Sequence, residues 1–239
     1  MKSFITTLVA AISLFWLPPS HANDSQMKAK ADSVSLFQVP LQCPAAPEIA
    51  CGSRAKPILL ELERDPNISE AWINRAGSVL AVVGSRNSSH ESRAKTVESL
   101  LEDIFEKKVA TEIVGEAREK ELINFLSGDG WYRGVQADNL SREEADIIAA
   151  RLVRRIQARV ALPEPKAKTL EKGFAEVFKR QFIRDPGQPR PVSQKPDSVR
   201  EKQRNEDLLK VAREHLDGAE VTAFQEVIAR GHRPEPGEK

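Results

Sequence analysis

Cys43 and Cys51 are the two cysteines of this 239-residue chain, and their spacing of eight positions leaves two chemistries open. The first is a disulfide closing a short loop across Pro44, Pro47 and Glu48, worth about 2–3 kcal/mol through restriction of the unfolded chain. It is the default wherever thiols meet an oxidising environment. The second is a two-thiolate site for a soft ion such as Cu(I), Hg(II) or Zn(II). Cys51 stands where a helix is predicted to begin, and a helix N-terminus favours the thiolate; Arg54 and Lys56 act in the same direction. A redox pair is a third use, but the Cys-x-x-Cys spacing of thiol exchange is missing.

Other catalytic chemistry finds no support. His90, His215 and His232 have no ligand spacing to a cysteine or an acidic pair and read as solvated. No Gly-x-Ser-x-Gly elbow accompanies a histidine. Carboxylates such as those of Glu116–Glu121 sit on charged helical faces, where solvation and i,i+4 pairing account for them. Asp129 and Asp138 lack the ligand pattern of a calcium loop. The chain is read as no enzyme.

Two groups have the character of partner-binding residues. Trp131 and Tyr132 lie between Gly128, Gly130 and Gly134, a predicted loop that presents the aromatics to a partner or folds them back as a lid. Arg151, Arg154, Arg155 and Arg159 flank the apolar stripe Ile148, Leu152, Ile156 and Val160. The helix that carries them opens on the capping-box pattern Ser141-Arg142-Glu143-Glu144 and runs to about Ala161. The arginines suit an acidic partner or anionic head groups, or form the solvated side of a packed helix.

The N-terminus sets the expected compartment. Lys2, an uncharged stretch from Phe4 to Leu17, Pro18-Pro19 and Ser20-His21-Ala22 have the order of a cleavable signal peptide with its cut after Ala22. Fourteen residues make a helix of roughly 21 Å, short of the ~30 Å of a bilayer core. A periplasmic or secreted protein without an integral membrane span is expected. The chain holds 36 Lys+Arg and 35 Asp+Glu, and losing Lys2 with the leader equalises them. That balance argues against a nucleic-acid binder, which needs excess positive charge to offset phosphate.

A linker, 23–33, leads into patterned sequence. Ser33–Val39 alternates as a strand, and Pro40–Ala50 reads as a loop. Arg54–Arg64 is a predicted helix, stopped by Asp65-Pro66-Asn67. Ile68–Asn74 and Val79–Val83 are strands joined by a hairpin turn at Arg75–Ser78. Ser88 or Ser89 caps a helix over Glu91–Lys107, and Val109–Val114 is a last strand. The fold class is α+β: a four-stranded ferredoxin-like β-α-β-β-α-β domain over 34–115, with both helices on one face, followed by a helical extension over 116–162. Residues 163–239 hold eight of the fifteen prolines, 16 basic and 14 acidic residues. They read as a largely disordered charged tail with short docking helices in 166–183 and 200–228.

The run Cys51-Gly52-Ser53-Arg54-Ala55-Lys56, with Ile58–Leu62, Asn67–Asn74 and Gly77–Val83, resembles a heavy-metal-associated domain. The match is best in the second strand, at Ile68, Ala71, Ile73 and Asn74. The resemblance implies a soft-metal site beside Cys51. In that family two thiolates are spaced Cys-x-x-Cys, whereas here Glu48 and Arg54 stand at the positions a second cysteine would take, and Cys43 is the other candidate ligand. Two functions follow: an exported module binding a soft metal through Cys43 and Cys51, or a disulfide-stabilised scaffold or adaptor docking on other cell-envelope proteins.

Overall fold

The computed structural model describes residues 31–183 and 198–238. Ser33–Lys239 make one unit and Met1–Asp32 another, of which Ala31 and Asp32 alone fall in the described range. The signal-peptide reading therefore lies outside the described residues, as do residues 184–197 of the expected tail.

Alternation makes the sheet. In β1 (Val34–Gln38), Ser35 and Phe37 point to one face, Val34 and Leu36 to the other, and all four are buried. β1 pairs antiparallel with β5 (Val79–Gly84), Phe37 opposite Leu80 and Leu36 opposite Ala81. β4 (Ile68–Asn74) pairs with β5 through the predicted hairpin, where Asn74 Oδ1 accepts from the N–H groups of Ser78 (2.9 Å) and Val79 (3.0 Å). Gly77 adopts φ +72° at this turn, a conformation that costs a residue with a Cβ. The edge beyond β1 is β6 (Thr111–Glu112), shorter than the predicted strand over 109–114.

The sheet has five strands, not four, in the order β6-β1-β5-β4-β7, with every neighbouring pair antiparallel. The fifth, β7 (Trp131–Arg133), lies where a loop was predicted and pairs with β4, Tyr132 opposite Ile73. The predicted loop over 40–50 also contains a hairpin, β2 (Gln42–Cys43) with β3 (Ala46–Ala50). Proline and glycine masked both stretches: they punctuate strands this short as readily as they end them.

One face of the sheet is covered by α1 (Gly52–Leu62) and α2 (His90–Phe105), which bury Ile58, Leu59, Leu62, Val97 and Leu101 against Phe37, Ile73, Leu80 and Val82. Ser89 caps α2 as predicted, its Oγ accepting from Ser92 N at 3.1 Å. The other face meets α3 (Gly115–Ser127), where Phe125 stands edge-on between Trp72 (6.0 Å) and Trp131 (5.1 Å).

The remaining helices correct the expected tail. α4 (Ala137–Gln157), α5 (Glu164–Phe182), α6 (Ser198–His215) and α7 (Gly218–Ala229) enclose a second core. It contains Ile148, Leu152, Ile156, Leu170, Phe174, Val177, Phe178, Leu208, Phe224 and Val227. The apolar stripes of α5 to α7 were too small for a core of their own. They need none, because α4 is apolar on more than one side and serves both layers: Leu140 and Ile147 pack in the first core, and Ala145, Ile148, Leu152 and Ile156 in the second. α4 begins at Ala137, four residues before the predicted cap, so Ser141 and Glu144 lie inside the helix and are buried. Among the described residues no helix is long and apolar enough to cross a membrane.

The arginine flank is also corrected. Arg151 and Arg155 are buried, while Arg154 is exposed and Arg159 half-buried. Arg155 forms a two-bond pair with Glu238 (2.9 and 2.5 Å) and donates to Gly231 O (2.8 Å) and Arg233 O (2.6 Å). Arg151 donates to Ala45 O and to His232 O (3.2 Å). Arg159 reaches Glu226 at 3.6 Å. Two of the four are thus buried fasteners for the C-terminal segment rather than a surface for a partner.

His232 is not solvated. Its Nε2 accepts from Arg204 Nε at 3.0 Å and its ring meets Phe178 edge-on. Burial, then the charges of Arg204 and Arg155, push its pKa down to about 3, from the usual 6.5. Arg155 holds the Glu238 carboxyl below its usual range. A histidine kept neutral in the fold but protonated when unfolded destabilises as pH drops below the unfolded value of about 6.5. Glu238 adds to the loss below its own unfolded value. Stability is expected to fall by about 2–3 kcal/mol between pH 6.5 and pH 4.5. Urea titrations across that range check it, and His232→Gln should flatten the slope; an unchanged slope would contradict the assignment.

Candidate metal centre

The site is built where the β2–β3 hairpin, the start of α1 and the middle of α4 meet. The hairpin is fixed by backbone bonds to the β4–β5 turn, Leu41 N to Gly77 O (2.9 Å) and Ala50 N to Arg75 O (2.7 Å), and its two ends are joined by Cys51 N to Leu41 O (2.8 Å). Gly77 is required for this approach, since a Cβ there would lie 2.8 Å from Ala50 Cα and from Leu41 C and O. These bonds place Cys43, at the end of β2, next to Cys51, the N-cap of α1.

α4 closes the site. Ala137, Ser141 and Glu144 recur at helical spacing on one face. Ala137 O and the Ser141 backbone and hydroxyl press directly on Gly52, where a Cβ would sit 2.4 to 2.7 Å from them. One turn further on, Glu144 comes against Cys43, whose Sγ donates to Glu144 Oε1 at 3.0 Å. Ala45 N donates to Cys43 Sγ at 3.3 Å, and Cys51 Sγ lies 3.4 Å from Ser53 Oγ. Arg151, by donating to Ala45 O, ties this turn to the C-terminal segment.

The two sulfurs and a Glu144 oxygen all lie within 4.8 Å of one another, with Cys43, Cys51 and Glu144 at 3%, 7% and 3% exposure. No disulfide joins the cysteines. The hydrogen bond with Cys51, burial and the Glu144 charge together drive the Cys43 thiol far above its usual range. Without an ion it stays protonated at neutral pH, so a bound metal must displace its proton.

The chemistry this arrangement offers is a compact, desolvated S,S,O donor set for one ion, with Ser141 Oγ buried and without a hydrogen-bond partner on the neighbouring turn. Both sequence-selected cysteines fall in it. Arg54 does not, lying over the Phe105 ring at 5.1 Å, and Lys56 pairs with Asp138 at 2.7 Å. Trp131 is buried in the sheet and Tyr132 half-buried, so of the two expected uses these aromatics are folded back on the domain, as an edge strand, and are not presented on an exposed loop. Glu144 was missed because Ser-x-x-Glu was taken as a cap. The available signal was that both residues fall on the apolar face of their own helix.

No protein-family model matches the chain, and neither a curated protein nor a solved structure matches it.

Proposed function

We propose that this chain is a non-catalytic protein of the cell envelope that binds one soft or borderline ion, Cu(I), Hg(II) or Zn(II), through Cys43 and Cys51. The observation that carries the reading is Glu144: a buried carboxylate, 101 positions from Cys43 in sequence, with an oxygen 3.0 Å from its sulfur. A disulfide staple has no use for such a group, whereas a metal site uses it as a ligand. Burial of all three donors removes the competition of water for the ion.

A ferredoxin-like core is the fold we assign to the first layer. Support comes from the order β6-β1-β5-β4, with α1 joining β1 to β4 and α2 joining β5 to β6. The β2–β3 hairpin is then an insertion and β7 an addition at the edge. Ancestry shared with heavy-metal-associated domains fits a cysteine at the N-cap of α1, the resemblance's metal-binding end. The leader-like N-terminus supports export.

The nearness of the sulfurs also suits the second reading, a disulfide-stabilised scaffold or adaptor, and the Glu144 carboxylate against Cys43 favours the first. A thiol count on unfolded protein isolated from the periplasm separates them. The metal reading expects two titratable thiols without reductant and a stoichiometric ion; the scaffold reading expects none until reductant is added.

A further inference from the structure

We infer that the Cys43–Cys51–Glu144 centre is built for a divalent, borderline ion of the Zn(II) class, with Glu144 as third ligand, rather than for Cu(I) or Hg(II). The inference rests on the metal-binding reading above and narrows it. Charge is the first argument, and it bears on Cu(I) alone, since Hg(II) is itself divalent. Two thiolates and a carboxylate carry three negative charges into a site whose donor residues are at most 7% exposed. A divalent ion leaves one uncompensated charge, whereas a monovalent ion leaves two, and uncompensated charge in the interior is costly. The N-terminal end of α1, at Cys51, offsets about half a charge, which suits the smaller residue.

Coordination preference is the second. Cu(I) and Hg(II) are satisfied by two thiolates on opposite sides of the ion and gain little from a hard oxygen ligand. Zn(II) takes thiolate and carboxylate together, and tetrahedral bonds of ~2.3 Å to sulfur hold two sulfurs about 3.8 Å apart. The three donors lie within 4.8 Å of one another and Glu144 Oε1 is 3.0 Å from Cys43 Sγ, so an ion held by the two sulfurs would have the carboxylate within reach as a third ligand. Three protein ligands leave a fourth position for a neutral donor such as water.

The test titrates the reduced full chain with Zn(II) and with Cu(I), each against a chromophoric chelator, in wild type, Glu144→Gln, Glu144→Asp and Cys43→Ser. Cd(II) serves as a spectroscopic probe through its sulfur charge-transfer band. Wild type is expected to take up one Zn(II). Glu144→Gln should weaken Zn(II) binding by ~10–100-fold while moving Cu(I) affinity by less than ~3-fold. Glu144→Asp, which keeps the anion, should recover part of the loss, and Cys43→Ser should abolish the Cd(II) band. Equal effects of Glu144→Gln on both ions, or none on Zn(II), would overturn the assignment. One equivalent of Cu(I) with no Zn(II) uptake would leave metal binding standing and refute the divalent preference. Retention of no ion at all would instead remove the metal reading itself.

Discussion

Deleting residues 198–239 is expected to produce a protein that aggregates or loses its cooperative transition, because the deletion uncovers the shared face of α4 and α5. Leu208, Ala212, Phe224 and Val227 are fully buried or nearly so, and Phe224 stacks on Phe174 at 5.1 Å. The same cut removes Glu238 and the carbonyls of Gly231, His232 and Arg233, leaving the buried guanidinium groups of Arg151 and Arg155 without those partners. Phe174→Ala is the graded version, expected to cost about 3–5 kcal/mol through the cavity it leaves. For a chain of this size that is a fall in Tm of roughly 10 °C. A truncated protein with the melting behaviour of the full chain would show that α6 and α7 contribute nothing to the core.

Gly52→Ala is the second large effect, and it joins the fold to the site. The added methyl would lie 2.4 Å from Ala137 O and 2.7 Å from Ser141 N, both backbone atoms of α4 that have no rotamer to change. Either α1 or α4 must move, at a cost of about 1–3 kcal/mol or more. The same movement separates Cys51, next to Gly52, from Glu144, one turn beyond Ser141. The variant is therefore expected to lose metal affinity by more than its stability loss would suggest. Calorimetry with a parallel metal titration checks both; an unshifted Tm with wild-type affinity would mean that the two helices are not in this contact.

The strands β1, β4 and β5 and the helices α1 and α2 were legible because alternation and helical spacing are local. Ile68–Asn74, Val79–Val83 and Ser89 needed only their neighbours in sequence. What was not legible depended on partners far along the chain. Trp131 becomes a strand residue only by pairing with Asn74, and Leu170, Phe174 and Phe178 become core only because α4 offers them its free side. The site divides in the same way. Cys43 and Cys51 stood out by their residue type, and their approach follows from the short hairpin between them. Glu144 comes from a separate helix, and Arg151 and Arg155 had the pattern of a solvated flank until the C-terminal segment covered them.

The most direct measurement is a metal titration of the reduced full chain at pH 7, following bound ion and released protons together. Because Cys43 is held protonated by Cys51, burial and Glu144, its thiol must give up its proton when an ion enters. One ion per chain is expected, accompanied by proton release and abolished by either Cys43→Ser or Cys51→Ser. Uptake that survives both substitutions, or no uptake by fully reduced folded protein, would contradict a metal centre at Cys43, Cys51 and Glu144.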